Sequence, residues 1–278
     1  MKTVVVTGAS TGIGAATAKV LVQNGFKIFG SVRKEDDGVR LADELGPSFT
    51  PLLFDITDIA AVAEAAASVK AALAGETLFG LVNNAGIAVA GPLLHVRIED
   101  FRHQLEVNLT GQLIVIQAFT PLLDGRKPGR IVMISSVGGR NASPFTGPYH
   151  TTKFGLEGFS ESLRRELMVF GIDVIVIAPG AIATPIWDKA DQMDISAYAD
   201  TVYAAPLKKT MEQMQALKAK GLAPERIGNA ILKALTAAHP KTRTTITHDP
   251  VVNFLLGLVP KRWADRLYAQ VLGLKQKS

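Results

Sequence analysis

Apolar and polar positions along the 278-residue chain alternate between two rhythms. Short, largely apolar runs occur at Thr3–Thr7, Lys27–Val32, Pro51–Phe54, Leu78–Val82, Arg130–Ser135, Asp173–Ala178 and Thr244–Thr247. Most are continuous rather than alternating, the pattern of strands covered on both faces. Between them, helices are expected over Ile13–Gln23, Asp58–Ala74, Ile98–Leu123, Tyr149–Phe170 and Pro224–Ala238. This succession predicts an α/β fold with a doubly wound, mostly parallel, seven-stranded sheet and helices on both faces. No internal repeat or low-complexity linker interrupts it, so a single domain over 1–278 is expected.

Two regions break the rhythm. Thr184–Gly221 is a long connection carrying Trp187, Met193, Tyr198, Tyr203, Met211 and Met214. Connections of this length are usually lids or locally helical insertions, so a substrate lid is expected over 184–221. The tail, residues 250–278, places Trp263, Leu267 and Val271 at i, i+4, i+8 beside Lys261, Arg262 and Arg266. Such an amphipathic extension suits docking on the rest of the chain, with shallow membrane contact as the alternative. The apolar stretch Val251–Val259 is interrupted by Asn253 and closed by Pro260, too short to span a bilayer. Because Thr3–Thr7 already reads as a strand, no targeting segment is expected ahead of it, and the location expected is cytoplasmic.

Composition narrows the chemistry. Hydrophobic residues at 47% against 20% charged allow a large core. Cysteine is absent, which removes disulfides, thiolate catalysis and Cys-ligated metals; no metal is expected. The net charge of +5 is spread along the chain, arguing against nucleic acid and leaving a phosphorylated cofactor as one use for it.

The first strand runs into Thr7-Gly8-Ala9-Ser10-Thr11-Gly12-Ile13-Gly14, and a helix follows. Glycines there let a pyrophosphate approach the backbone at a helix N-terminus, although Gly-rich turns also serve purely backbone needs. Asp55 ends the third strand, where it suits an adenine amino group or a helix N-cap. Asn83-Asn84-Ala85-Gly86 closes the fourth strand, with structural hydrogen bonding as likely as ligand contact.

Tyr149 and Lys153 stand one turn apart on a helix opened by Gly147-Pro148. A nearby ammonium favours the phenolate and is expected to lower the tyrosine's pKa. Ser136 ends the fifth strand, at the sheet edge where ligands bind, and its hydroxyl suits holding a substrate oxygen. Asn108, inside the expected helix Ile98–Leu123, is either a structural kink residue or the holder of a relay water.

These pieces, in order, with Pro179-Gly180 and Thr184, resemble the short-chain dehydrogenase/reductase family over roughly the first 180 residues. The resemblance implies a Rossmann-type fold and an NAD(P)(H)-dependent alcohol dehydrogenase or carbonyl reductase. It makes Tyr149 the general acid/base and Ser136 the group that polarises the substrate oxygen. Lys153 would bind the nicotinamide ribose and depress the tyrosine pKa, and Asn108 would anchor a relay water. The cofactor is implied to lie against Gly8, Ser10, Thr11, Gly12, Ile13, Gly14, Arg33, Asp55, Ile56, Asn83, Ala85, Gly86, Pro179, Gly180, Ile182 and Thr184, as well as Tyr149 and Lys153. The segment Tyr149–Leu167 resembles the branch of retinol, hydroxysteroid and hydroxybutyrate dehydrogenases.

The Met- and aromatic-rich lid favours a lipophilic alcohol or ketone as the small-molecule partner. Val32 occupies the position at the end of the second strand that is usually acidic, and Arg33 follows, so NADP is expected over NAD, with NAD possible. Leu156, Phe159, Leu163 and Leu167 offer an apolar stripe for a homodimer or homotetramer, although one face must also cover the sheet. The alternatives are a cofactor-binding regulator without turnover and a lyase like the halohydrin dehalogenases. Such relatives lose the tyrosine, the lysine or the glycines, all of which are present here.

Overall fold

The computed structural model describes residues 1–124, 129–186 and 195–274. Its centre is a sheet of seven strands, all parallel, in the order β3-β2-β1-β4-β5-β6-β7. The strands are β1 Thr3–Val6, β2 Lys27–Val32, β3 Phe49–Leu53, β4 Gly80–Asn83, β5 Arg130–Ile134, β6 Asp173–Pro179 and β7 Arg243–Ile246. Successive side chains of a strand point to opposite faces, which accounts for the continuous apolar runs. Val5 enters one core with Val62 and Val69 of α3 (Ile59–Leu73) and Phe119 of α5 (Gly111–Phe119). Val4 and Val6 enter the other, with Leu21 of α1 (Gly12–Gln23) and Ile231 of the helix Glu225–Thr236.

A helix the pattern left unread is α2, Glu35–Leu45. Its apolar positions do keep helical spacing, at Gly38, Leu41, Ala42 and Leu45, but a glycine stands at the most crowded of them. A Cβ on Gly38 would lie 2.9 Å from Pro51 Cβ. The expected long helix Ile98–Leu123 is three pieces: α4 (Ile98–Leu105), a π-helical turn at Glu106–Thr110, and α5. The widened turn places Asn108 against the chain after β4, and Gly111 follows it, where a Cβ would meet Ile56 Cγ1 at 2.8 Å. The helix after Ser136 is α6, Gly147–Glu166, tightening to 3₁₀ geometry over Leu167–Phe170.

The apolar stripe on α6 covers the sheet rather than presenting an interface. Leu156 and Leu167 are buried in the first core, and Phe159 and Leu163 pack against it. The expected lid contains α7, Ala204–Ala219, after a 3₁₀ turn at Ile195–Tyr198; Trp187 and Met193 lie outside the described residues. The chain continues through α8 (Glu225–Thr236) and β7 and ends in α9 (Pro250–Leu258) and α10 (Lys261–Leu272).

Candidate active site

The strand order turns back on itself beside β1, and the carboxyl ends of β1, β4, β5 and β6 border the crevice that results. The glycine turn is tied to β4 by side chains. Thr7 Oγ1 accepts the backbone N–H groups of Asn84 (2.9 Å) and Ala85 (3.0 Å). Asn84 Nδ2 donates to the carbonyls of Thr7 (2.8 Å) and Gly8 (3.2 Å). Gly12 holds φ +56° against Thr184, and a Cβ on Gly14 would stand 2.0 Å from the Gly8 carbonyl oxygen. Thr11 gives α1 no side-chain cap, so the helix's first-turn N–H groups are free of a capping side chain and suit a pyrophosphate oxygen. The turn therefore fits a dinucleotide.

At the adenosine end, Val32 is buried and Arg33 is exposed, its Nη1 3.9 Å from Asp55 Oδ2. Asp55 does not cap α3; Asp58 does, accepting from the Ala61 N–H at 3.0 Å. Partial burial works to raise the Asp55 pKa, but the Thr57 N–H and hydroxyl (2.9 and 2.7 Å) and the Arg33 charge outweigh it and hold the carboxyl below its usual range. Ile56 is buried. The Asn83 side chain turns into the layer between sheet and helix, where Nδ2 donates to the Gln112 carbonyl at 3.2 Å; it is Asn84 that reaches the turn. Arg40 was missed because α2 was. Its guanidinium donates to the Ser10 carbonyl at 2.7 Å and pairs with Asp37, setting a second cation beside the turn.

The chemical groups meet at the end of β5. Ser136 Oγ accepts the Gly138 N–H (3.0 Å) and lies 3.4 Å from the Pro179 carbonyl. The Ser136 hydroxyl acts on that of Tyr149, favouring its charged form. Lys153 is buried, donates to the Ile134 carbonyl at 2.9 Å, and lies 5.6 Å from the centre of the Tyr149 ring. Burial pushes the Lys153 pKa down to about 8, with the carboxylate of Glu157, one turn on, opposing it. Burial likewise raises the Tyr149 pKa, and the Ser136 hydroxyl only partly offsets that. This reverses the expected direction, because the ammonium is held by a backbone carbonyl and desolvation dominates. A tyrosine that keeps its proton at neutral pH is a proton donor.

Asn108 in the π turn clamps Ile87: Oδ1 accepts its N–H and Nδ2 donates to its carbonyl, both at 2.9 Å. Nδ2 also donates to Thr152 Oγ1 at 3.1 Å. Both amide hydrogens are thus committed, leaving one lone pair of Oδ1 for any further partner. Gly86 lies against that oxygen, where a Cβ would come within 3.2 Å of it. His150 is a residue that motif reasoning passed over. It accepts the Ser143 N–H at Nε2 (3.0 Å), so Nδ1 carries the proton and donates to the Gly138 carbonyl (2.8 Å), bracing the loop between Ser136 and Tyr149. Burial keeps its pKa low and the ring neutral.

A third apolar cluster takes in Phe145, in the loop that joins Ser136 to Tyr149. Phe145, at φ +66°, is buried with Leu207 of α7 and Leu272 of α10, and Tyr198, Tyr203, Tyr268 and Leu274 pack around them. His95 meets Tyr198 and Tyr203 edge-on at 6.1 and 5.8 Å. Pro179 ends β6, and the Gly180 N–H donates to the Ile246 carbonyl (2.8 Å). Ile182 is buried, and its neighbour Ala183 donates to the Leu222 carbonyl at 3.0 Å, which presents Thr184 to Gly12. The tail docks, but by another row than the one expected: Leu272 is buried with Tyr268 beside it, while Trp263, Leu267 and Val271 stay exposed.

A fold of parallel strands with a glycine turn, and a Ser–Tyr–Lys group at the sheet edge, define a nucleotide-dependent oxidoreductase. The short chain dehydrogenase family model matches residues 2–195, and the chain belongs to that family. It is 35% identical, over the full length of both chains, to an NADPH-dependent 3-dehydrocapnine reductase of Ornithobacterium rhinotracheale. It is 34% identical to retinol dehydrogenase 16 of Homo sapiens, across 91% of this chain and 83% of that one. A short chain dehydrogenase from Burkholderia cenocepacia, solved in complex with NADP, superposes with a TM-score of 0.73 at 26% identity, covering 98% of this chain and 99% of that one. The protein accordingly interconverts an alcohol and a carbonyl compound with NAD(P)(H). Among the described residues, no helix is long and apolar enough to cross a membrane.

Proposed function

We propose that the protein is an NADP-preferring reductase of a lipophilic ketone or aldehyde. The observation that carries the chemistry is the meeting of Ser136 and Tyr149 past the end of β5, with buried Lys153 one turn along the same helix. NADPH, when bound, supplies a hydride to the carbonyl carbon. Tyr149 gives its proton to the oxygen as the carbonyl bond opens, and Ser136 Oγ donates a hydrogen bond that orients that oxygen. Lys153, now held by the Ile134 carbonyl, would hold the ribose hydroxyls of the bound nucleotide. Asn108 acts by fixing Ile87 and Thr152 at the floor of the site. The glycine turn Gly8–Gly14, with Asp55, Ile56, Ala85 and Gly86, would hold the adenosine and pyrophosphate. Pro179, Gly180, Ile182 and Thr184 would hold the carboxamide. Tyr198 and Tyr203, half-buried against Phe145 and Leu207, would give the substrate an apolar wall.

Cofactor preference rests on charge. A 2′-phosphate meets Arg33 where a carboxylate would repel it, and Arg40 adds a second cation at Ser10. Asp55, Asp37 and Glu44 moderate that field without cancelling its geometry. The NADPH dependence in the name of the full-length relative supports the same choice. The test is kcat/KM with NADPH and NADH across ketones of increasing apolar length. NADPH should be preferred, and Val32→Asp with Arg33→Ala should reverse the order. A wild-type kcat/KM higher with NADH would refute the assignment of Arg33, and equal rates for short and long ketones would refute the lipophilic substrate.

A further inference from the structure

The two C-terminal helices carry the largest concentration of exposed apolar side chains among the described residues. On α9, Val251, Phe254, Leu255 and Leu258 follow helical spacing and are each more than half exposed. At 100° per residue they cluster on one side of the helix, an apolar face rather than scattered contacts. On α10, Trp263 and Leu267 are also more than half exposed, and Val271 extends their row. Arg262 and Arg266 form the row next to it, and Lys261 opens the helix, all exposed. The other side of α10 is occupied: Tyr268 and Leu272 pack against α7 and Phe145, so the exposed row is held outward by a docked helix.

We propose that this face is a shallow docking surface for a bilayer carrying anionic headgroups. Three features select that occupant. An apolar row containing tryptophan and flanked by arginine suits the boundary between acyl chains and headgroups. A nine-residue α9 reaches roughly 14 Å and lies in a bilayer surface rather than crossing it. In a two-fold pairing of this face with the helices antiparallel, the two basic rows would meet each other, whereas anionic lipid complements them. The proposal is independent of the substrate assigned above, since it concerns a face outside the Ser136–Tyr149 site.

The experiment uses the full-length chain and co-sedimentation with phosphatidylcholine–phosphatidylglycerol vesicles, with pure phosphatidylcholine vesicles as the comparison. Binding is expected to be stronger on the mixed vesicles and to weaken with salt. Withdrawing one large apolar side chain from water is worth about tenfold in partitioning, so Leu255→Asp with Leu258→Asp should reduce binding at least tenfold at every salt concentration. Arg262→Gln with Arg266→Gln should abolish the preference for the mixed vesicles. All four positions are exposed, and unchanged thermal midpoints would show that the variants fold. In a Trp187→Phe background, Trp263 emission should shift to the blue on vesicle addition. The proposal is overturned if wild type binds neither vesicle, or if the Leu255→Asp, Leu258→Asp variant binds as wild type does. It is equally overturned if light scattering shows that variant converting an oligomer to a monomer, which would make the face an interface between copies.

Discussion

Lys153→Met should make the protein more stable while disabling it. The lysine is buried with its pKa pushed from the ordinary 10.5 to about 8, a difference worth about 3 kcal/mol at 1.36 kcal/mol per pH unit. Methionine fills nearly the same volume and needs no solvation, so most of that energy is recovered. The variant also loses the 2.9 Å hydrogen bond to the Ile134 carbonyl, which subtracts about 1–3 kcal/mol. A net gain of about 1 kcal/mol remains at pH 7, or roughly 2 °C in thermal midpoint for a chain of this size. The pH dependence follows from the sign of the shift. The folded-state pKa lies below the unfolded one, so between pH 8 and 10.5 the unfolded chain binds the extra proton. The wild-type penalty is therefore complete below pH 8 and fades as pH rises through that window. Urea unfolding of both proteins without cofactor, at pH 7 and near pH 10, measures it; at the higher pH the gap should close or reverse, because the lost hydrogen bond then outweighs what is left of the penalty. A variant less stable than wild type at pH 7, or a gap that does not change, would refute the reasoning. Turnover should fall at least a hundredfold, the signature of a residue retained for chemistry at the expense of stability.

Tyr149→Phe should lower kcat by about 10³-fold with NADPH affinity, followed by nucleotide fluorescence, nearly unchanged; retention of more than about a tenth of the activity would remove Tyr149 from proton transfer. Limited proteolysis between residues 195 and 221 should slow when NADPH and a ketone are both present, because the segment closes over them, and equal rates would count against a lid. A homodimer or homotetramer is expected by light scattering at micromolar concentration. Its interface should use exposed residues such as Leu113 and Phe154 rather than the buried α6 stripe, and a monomer would refute this.

The sheet was legible because most strands are apolar runs buried on both faces; the edge strands β3 and β7, with Thr50 and Pro51 in one and Arg243, Thr244 and Thr245 in the other, are less so, and their bounds shifted by one or two residues. The positions of Ser136, Tyr149 and Lys153 were legible for a related reason: a strand end and one helical turn fix where they stand. What could not be read are features set by distant contacts. The break at Glu106–Thr110 depends on Ile87 meeting Asn108, which periodicity cannot report. The α6 stripe was ambiguous because a helix bordering both a sheet and a possible partner shows apolar residues for either. On α10 the conspicuous row, Trp263-Leu267-Val271, is the exposed one; the docking row, Tyr268 and Leu272, is shorter and carries a tyrosine. The direction of the Tyr149 pKa shift was misjudged because charge spacing shows in a sequence while burial does not.

Phe145 belongs to two bodies at once. It stands four residues before Tyr149, in a left-handed conformation unusual for a side chain of its size, and shares its burial with Leu207 and Leu272. Anything that pulls α10 away from α7 removes part of what keeps Phe145 in that conformation. The loop joining Ser136 to Tyr149 would then relax toward ordinary backbone angles. Tail docking and ligand affinity are by this route thermodynamically linked, and linkage is reciprocal: a ligand that tightens the loop must tighten the tail by the same free energy. Removing the tail should thus weaken substrate binding.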